Sequence, residues 1–421
     1  MTPGARIQAA AELLEAVIAD PVRPADLVVR GWFRRRRYAG ASDRAAISDL
    51  VYDVLRRLGA LQWQLQMAGL PGDGRGLVLA ELRRRGQGIA EIGALFSGQG
   101  HAPPSLSGAE TAFIAGEYDS GPLPPWAEAA LPEWCLELLE KRFGPAWRDE
   151  AAAMLRQAPT DLRVNTLRTT RDSVLSWLAA QGIDAAPCVY APAGIRLSGR
   201  IGAGRLAPLL KGDAEIQDEG SQLAALACAA RPGQRVIDYC AGGGGKTLAL
   251  AAAMEGRGEI VACDIAPRRL DSLRRRVQGA AAGMVHVHDL RQGPPPGNAD
   301  LVVVDAPCSG SGTWRRNPWS RWRLGEEDLP RLCRKQAEIL DAAAALLRPG
   351  GELVYITCSL FACENDEQAD AFLARHGGFR PLAVSMPAPY AGVTQPGRVQ
   401  LTPARSQTDG FFIARFRKEA G

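Results

Sequence analysis

Two cysteines stand where a nucleophile could be offered to a ligand. Cys308 lies in DAPCSGSG at 305–312 and Cys358 in TCS at 357–359, each directly after an apolar run, LVVV and LVYI. Such runs read as buried strands, so both thiols should close neighbouring strands and face one pocket. A thiol in that place suits alkylation of a base carbon. Carbon 5 of cytosine is too weak a nucleophile to attack a sulfonium methyl, and a thiolate that first adds to carbon 6 pushes electron density onto it. The reaction also needs an acid near the ring nitrogen and a base for the carbon 5 proton. The blander role, a buried strand-end cysteine, suits Cys135, Cys188, Cys228, Cys263 and Cys333.

A second constellation lies upstream. The strand RVIDYC runs into AGGGGKT and a helix, which places consecutive backbone amides and a helix amino terminus where a ligand can approach closely. A Walker loop fails, because Cys240 stands where the glycine six residues before Lys246 is required. The dinucleotide pattern GxGxxG fails as well, with Thr247 or Leu248 at its last position. What remains is Asp238 ending a strand before a glycine-rich turn, which resembles the first motif of class I methyltransferases with Cys240 in place of a glycine. Cys240, Ala241, Gly242, Gly243, Gly244, Gly245 and Lys246 are therefore the expected cofactor loop. Asp264, closing the next strand, is suited to the ribose hydroxyls, and Asp289, closing the third, to the adenine amino group. Arg269 and Asp305 complete the expected cofactor set.

These residues need an open parallel sheet to bring them together. After Pro232-Gly233 strands and helices alternate in the α/β manner: RVIDYC, KTLALAAAM, GEIVACD, PRRLDSLRRRVQGAA, MVHVHD, ADLVVVDAPC, a long helix, GELVYITCS and a closing strand DGFFIARF. Upstream, LRVNTL, RDSVLSWLAAQG and IRLSG form a small α+β module between about Leu162 and Leu210. The first ~100 residues carry apolar positions at i, i+3, i+4 and i+7 and read as helices. Gly98 to Pro125 reads as a linker or loop series. The expected fold is α/β: a class I Rossmann-like methyltransferase domain (226–421), preceded by a helical linker and small α+β module (131–225) and an all-helical domain (1–130).

The motifs DYCAGGGGKT, VACD, HDL, DAPCSGSGTWRRNP, RPGG and YITCS, with RVNTL and QDEGSQL before them and DGFFIARF after, resemble in order those of bacterial Sun/Nop2-family RNA cytosine-5 methyltransferases. The small-subunit ribosomal RNA methyltransferase B type is included in that group. The match spans roughly Leu162 to Lys418, and the helical first ~130 residues resemble a NusB-like RNA-binding domain. The resemblance implies S-adenosyl-L-methionine as cofactor, Cys358 as nucleophile and Cys308 as the thiol that assists release. It also implies that Asp305 holds the cytosine edge and that Lys246 sits near the cofactor or base. The residues alone leave the order of the thiols open, because a Pro-Cys dipeptide supplies the nucleophile in DNA cytosine methyltransferases. One departure is the run Gly242-Gly243-Gly244-Gly245 where the family has Ala-Pro-Gly-Gly; it loosens the loop without removing a reacting side chain.

Composition narrows the remaining choices. With 421 residues, 46% hydrophobic and 23% charged, the chain is long enough for two or three cores. Apolar stretches are broken well before the ~18 residues that span a bilayer, and the amino terminus lacks the pattern of a secretion signal, so a cytoplasmic protein is expected. The nine cysteines form no CxxC pair and the four histidines are scattered, so neither a disulfide framework nor a metal site is expected. His286 and His288 share one strand face, for which a structural role is the simpler reading. Net charge is only +4, but arginines cluster at Arg34–Arg37, Arg83–Arg85, Arg268–Arg276 and Arg315–Arg323, interleaved with Trp32, Phe33, Trp314, Trp319 and Trp322. Either these are phosphate and base-stacking sites for RNA, or the rings are core and the arginines a solvated face. A monomer acting on RNA, ribosomal 16S RNA first and transfer RNA second, is the expected reading. The rivals are a DNA cytosine methyltransferase, which carries a large recognition region after its catalytic motifs, and an amino-directed enzyme, which favours DPPY over DAPC. A third is a non-catalytic RNA-binding ribosome-assembly factor.

Overall fold

The apolar spacing at the start of the chain does fold into helices. In the computed structural model, which describes residues 1–118, 121–199, 201–388, 390 and 394–420, Pro3–Ile18, Ala41–Arg56, Leu58–Met67 and Gly74–Arg84 turn Leu13, Leu14, Val51, Val54, Leu61 and Leu77 into a shared core. Each such side chain contributes about 1.5–3 kcal/mol by leaving water. These helices belong to a compact unit made of Met1–Arg156 and Trp314–Glu326. No helix among the described residues is long and apolar enough to cross a membrane.

One sequence expectation changes in this unit, and one open choice is decided. The stretch read as a loop from Gly98 contains a helix, Gly108–Ala115, capped reciprocally: Ser107 Oγ accepts from Glu110 N, and the Glu110 carboxylate accepts from Ser107 N. The aromatic rings considered for base stacking are core instead. Trp32 and Phe33 pack edge to face at 5.2 Å, and Trp314 and Trp319 are buried. Helix Ala25–Arg35 places Val28, Val29, Trp32 and Phe33 on its inner face and leaves Arg34 and Arg35 outside. Arg321 is fully buried too, donating to the carbonyls of Ala130 at 2.9 Å and Trp314 at 3.2 Å.

The second unit comprises Gln157–Thr313 and Glu327–Gly421. It opens with a four-stranded antiparallel sheet, in the order Ala185–Pro187, Gly194–Leu197, Thr160–Val164, Ala214–Ile216, accompanied by helix Arg171–Ala180. The two outer strands have three residues each, too few to show an alternating pattern in the sequence.

A nine-stranded sheet follows, with strands β1 (Arg235–Asp238), β2 (Glu259–Asp264), β3 (Val285–Asp289), β4 (Ala299–Asp305), β5 (Leu347–Thr357), β6 (Phe379–Pro381), β7 (Thr394–Gln395), β8 (Arg398–Leu401) and β9 (Phe411–Lys418). The order is β7-β8-β9-β5-β4-β1-β2-β3, with β6 also paired to β9. Strands β1 to β5 run parallel, and β9 is antiparallel to β5. The helices Gly245–Ala253 (α1), Pro267–Gly279 (α2), Asp328–Ala345 (α3) and Asp366–Arg375 (α4) connect them. Chain order reverses between β1 and β4, and ligands of open α/β sheets bind beyond the carboxyl ends of the strands at such a switch point. Asp238 closes β1 and Asp305 closes β4.

Candidate active site

The parallel register of β4 and β5 sets Asp305 opposite Ile356, so the segments leaving both strands emerge side by side. Cys308 and Cys358 consequently meet, sulfur to sulfur, at 3.4 Å. Both are half-buried free thiols. The hydrogen bond with Cys358, and then burial, push the Cys308 thiol well above its ordinary value, which keeps it protonated at neutral pH. Beyond β4 the chain returns to the sheet at Gly312, whose N–H donates to Cys358 O at 2.9 Å and whose carbonyl accepts from Gly410 N at 2.8 Å. A side chain on Gly312 would meet the Gly410 carbonyl at 2.3 Å, so only glycine permits this crossing of the cysteine loop and the DGFF turn.

Lys246, in the first turn of α1, donates from Nζ to Asp305 Oδ2 at 2.8 Å and lies 4.7 Å from the centre of the Phe411 ring. Burial disfavours its charge, but attraction and the hydrogen bond from Asp305, with a smaller part from Cys358, hold its pKa above the usual lysine value. The two candidate residues from the cofactor loop and the cysteine loop are thus one ion pair beside the thiols.

The loop geometry suits a nucleoside ligand. Gly242 (φ +55°) has open space on its Cβ side, whereas a side chain on Gly244 (φ +88°) would run into Leu273 at 2.2 Å. Asp264 anchors the loop, its Oδ2 accepting from Gly242 N at 2.9 Å and its Oδ1 from Ala266 N at 2.7 Å, while Arg269 reaches it from solvent at 3.7 Å. Ala241 N donates to Cys263 O at 2.8 Å, and burial raises the Cys240 thiol. Asp289 is partly committed: Arg291 holds its carboxyl at about 2 through Nε at 3.0 Å and its backbone N–H at 3.0 Å. Arg291 is the exposed member of that pair, and the carboxylate oxygens keep further lone pairs for another donor. Asp238 is fully buried, Thr247 Oγ1 donates to its Oδ2 at 2.6 Å, and its Oδ1 has no partner among the described residues. An open glycine face and an orphaned carboxylate oxygen fit S-adenosylmethionine.

Asp238 predicts a pH effect. Burial pushes it up to about 7 from an ordinary 3.8, so the folded chain binds this proton more tightly than the unfolded one. Its stabilising contribution is full below about pH 4 and lost as pH rises through about 7. Without methyl donor, wild-type protein should lose melting temperature between pH 5 and pH 8 that Asp238→Asn does not lose; equal losses by differential scanning fluorimetry would refute this.

Other groups fall outside the site. His288 Nε2 lies 2.9 Å from Gly293 O, a structural contact. Asp161, Cys188 and Glu219 gather ligand-type atoms within 4.8 Å of one another, yet Arg196 pairs with both carboxylates, at 2.8 and 3.2 Å, and balances their charge.

Sequence reasoning missed the layer behind the thiols. Glu364 and Asn365, just before α4, and Gln336 of α3 are fully buried. Glu364 accepts from Ser309 N at 2.8 Å, Gln336 Nε2 at 3.0 Å and Ser359 Oγ at 2.6 Å. The signal available was an acid and an amide following TCS within six residues.

Comparison with known proteins adds family information. Residues 225–417 match the family described as 16S rRNA methyltransferase RsmB/F, and residues 131–202 match the ferredoxin-like domain of RsmF/B-like methyltransferases. A probable ribosomal RNA small subunit methyltransferase B of Synechocystis is 35% identical over 298 residues, 69% of this chain and 67% of that protein. The ribosomal RNA small subunit methyltransferase B of Pseudomonas putida is 35% identical over 303 residues, 70% of this chain and 68% of that protein. Among solved structures, the protein PH0851 superimposes with a TM-score of 0.79 at 26% identity, covering 99% of both chains.

Proposed function

The chain belongs to the RsmB/F family of small-subunit ribosomal RNA methyltransferases, and from that premise we propose that it methylates carbon 5 of a cytosine in 16S ribosomal RNA through a covalent cysteine–base adduct. The observation that carries this reading is the 3.4 Å contact between Cys308 and Cys358 beside the Lys246–Asp305 pair. S-adenosylmethionine, when bound, supplies a methyl group on a positively charged sulfur. Gly242, Gly243, Asp264 and Asp289 would hold it, with Arg269 at the rim.

The protein's own residues do the rest. Asp305, oriented by Lys246, accepts a hydrogen bond from the amino edge of a cytosine taken out of its stack. The Cys358 thiolate adds to carbon 6: a sulfur–carbon bond forms, and the carbon 5–carbon 6 π pair moves onto carbon 5 and the ring. Once carbon 5 carries the methyl group, its hydrogen must leave as a proton, so that the double bond re-forms and the carbon–sulfur pair returns to Cys358. Cys308 lies beside the bond that breaks. The largest cause of its raised pKa is its bond to Cys358, and that cause ends when Cys358 is joined to carbon 6. Cys308 can then release its proton to water and take the one on carbon 5.

Residues 226–421 are assigned the catalysis, and the helical residues 1–130 and the module within 131–225 are assigned RNA binding. The exposed Arg34, Arg35 and Arg37 supply phosphate contacts. Bisulfite sequencing of 16S ribosomal RNA from a strain lacking the gene should show one cytosine losing its methylation, restored by the wild-type gene. Unchanged 16S methylation with a lost transfer RNA site would move the substrate to transfer RNA, and no change in any RNA would defeat the reading.

A further inference from the structure

The two thiols are held in different ways. Cys358 leaves β5, which is paired on both sides by β4 and β9. Its carbonyl accepts from Gly312 N, and Asn365 ties both of its neighbours, accepting from Thr357 Oγ1 at 2.5 Å and donating to Ser359 O at 2.9 Å. Cys308 has no strand around it. Its neighbours converge instead on one buried carboxylate: Ser309 N donates to Glu364 Oε1 at 2.8 Å, and Gln336 Nε2 bridges that same oxygen and Pro307 O, both at 3.0 Å. The other oxygen, Oε2, accepts from Ser359 Oγ, which lies 3.2 Å from both Ser309 Oγ and Ser311 Oγ.

We propose that Glu364 is a positioning residue that sets the Cys308 thiol against the Cys358–base bond, and so governs release of the methylated base in preference to the attack. The inference rests on the reading that Cys358 attacks and Cys308 assists release. A carboxylate suits the place because it is acceptor-only and meets three donors from three chain segments. Removing it leaves the N–H of half-buried Ser309 without this partner and frees Gln336 from its bridge, so the backbone on both sides of Cys308 loosens. Cys358 keeps its strand, its Gly312 bond and Asn365. Attack therefore survives and release does not. A glutamine retains one oxygen for Ser309 and Gln336, and its amide group can donate to Ser359 Oγ, whose own proton turns toward Ser309 or Ser311. The requirement is one of geometry more than of charge.

The test uses the full chain with S-adenosylmethionine and 16S ribosomal RNA transcribed in vitro. Glu364→Ala, with both cysteines present, should accumulate a protein–RNA complex on denaturing gels. Its multiple-turnover kcat should fall about 10²-fold, as expected for a displaced reacting group, while single-turnover methyl transfer and KM for RNA stay within about threefold. Glu364→Gln should behave like wild type. A uniform loss without the complex, or Glu364→Gln as defective as Glu364→Ala, overturns the proposal. Should Glu364→Ala fail to fold, Gln336→Leu, which cuts the Pro307 tether and keeps the bulk, must accumulate the complex, and its absence overturns the proposal equally. Cys308→Ala runs alongside. A complex from Cys308→Ala and none from Glu364→Ala defeats this inference alone, and none from either defeats the underlying reading as well.

Discussion

Cys358→Ala is expected to abolish methyl incorporation into ribosomal RNA and to form no covalent complex, whereas Cys308→Ala should accumulate a protein–RNA complex that survives denaturing electrophoresis. Loss of a nucleophile removes a step that no neighbouring group replaces, so the fall for Cys358→Ala should be about 10⁴-fold or more. A bystander cysteine 3.4 Å away does not substitute. Its burial still disfavours the thiolate in that variant, and a thiol is a far weaker nucleophile than a thiolate. Cys308→Ala leaves the attack intact and removes the sulfur beside the bond that must break, so material stalls one step later. The two variants thus fail in opposite ways, which a gel distinguishes without kinetics. A complex from Cys358→Ala and none from Cys308→Ala would reverse the roles; no complex from either, with methylation retained in both, would end the adduct mechanism.

What the sequence disclosed follows from how local each signal is. The thiols could be read because each is announced by its own apolar strand and its own short motif, and the glycine loop because strand, turn and helix are contiguous. The antiparallel module was half legible: its three-residue strands carry no period, and only their pairing with Thr160–Val164 and Gly194–Leu197 defines them. The helix Gly108–Ala115 was hidden by surrounding proline and glycine, although Ser107 and Glu110 carry the spacing of a capping box. Arginine beside tryptophan was ambiguous for a physical reason. The same helical spacing that lines up rings for a base also lines them up for a core, and Trp32, Trp314 and Trp319 took the second course. Glu364 was out of reach altogether. Its role comes from Ser309, Gln336 and Ser359, up to 55 residues away, and nothing in FACENDEQ shows which way the acid points.

Lys246 and Asp305 illustrate the same limit and carry the second large effect. Each belongs to a recognisable motif, but their union across 59 residues is a property of the β1–β4 switch point. Lys246→Met keeps the length and apolar stem while removing the charge. Asp305 then loses the donor that orients it, the face of Phe411 loses its cation, and the Cys358 sulfur loses a nearby positive charge. Methylation should fall about 10²- to 10³-fold, the usual cost of deleting one group that stabilises charge in a closed site. The loss should be mainly in kcat, because Lys246 is buried beside the thiols while the exposed arginines proposed to contact phosphate are untouched. An independent readout needs no RNA: in a variant whose other accessible cysteines have been replaced, iodoacetamide should label Cys358 more slowly at neutral pH when Lys246 is methionine. Unaltered labelling with lost methylation would confine Lys246 to orienting Asp305, and unaltered methylation would remove the ion pair from the mechanism. Asp305→Asn separates those roles further, since it keeps a hydrogen-bonding edge for the cytosine but leaves the ammonium of Lys246 without its countercharge. If orientation is the larger part, Asp305→Asn should retain more activity than Lys246→Met; if charge is, the order should invert.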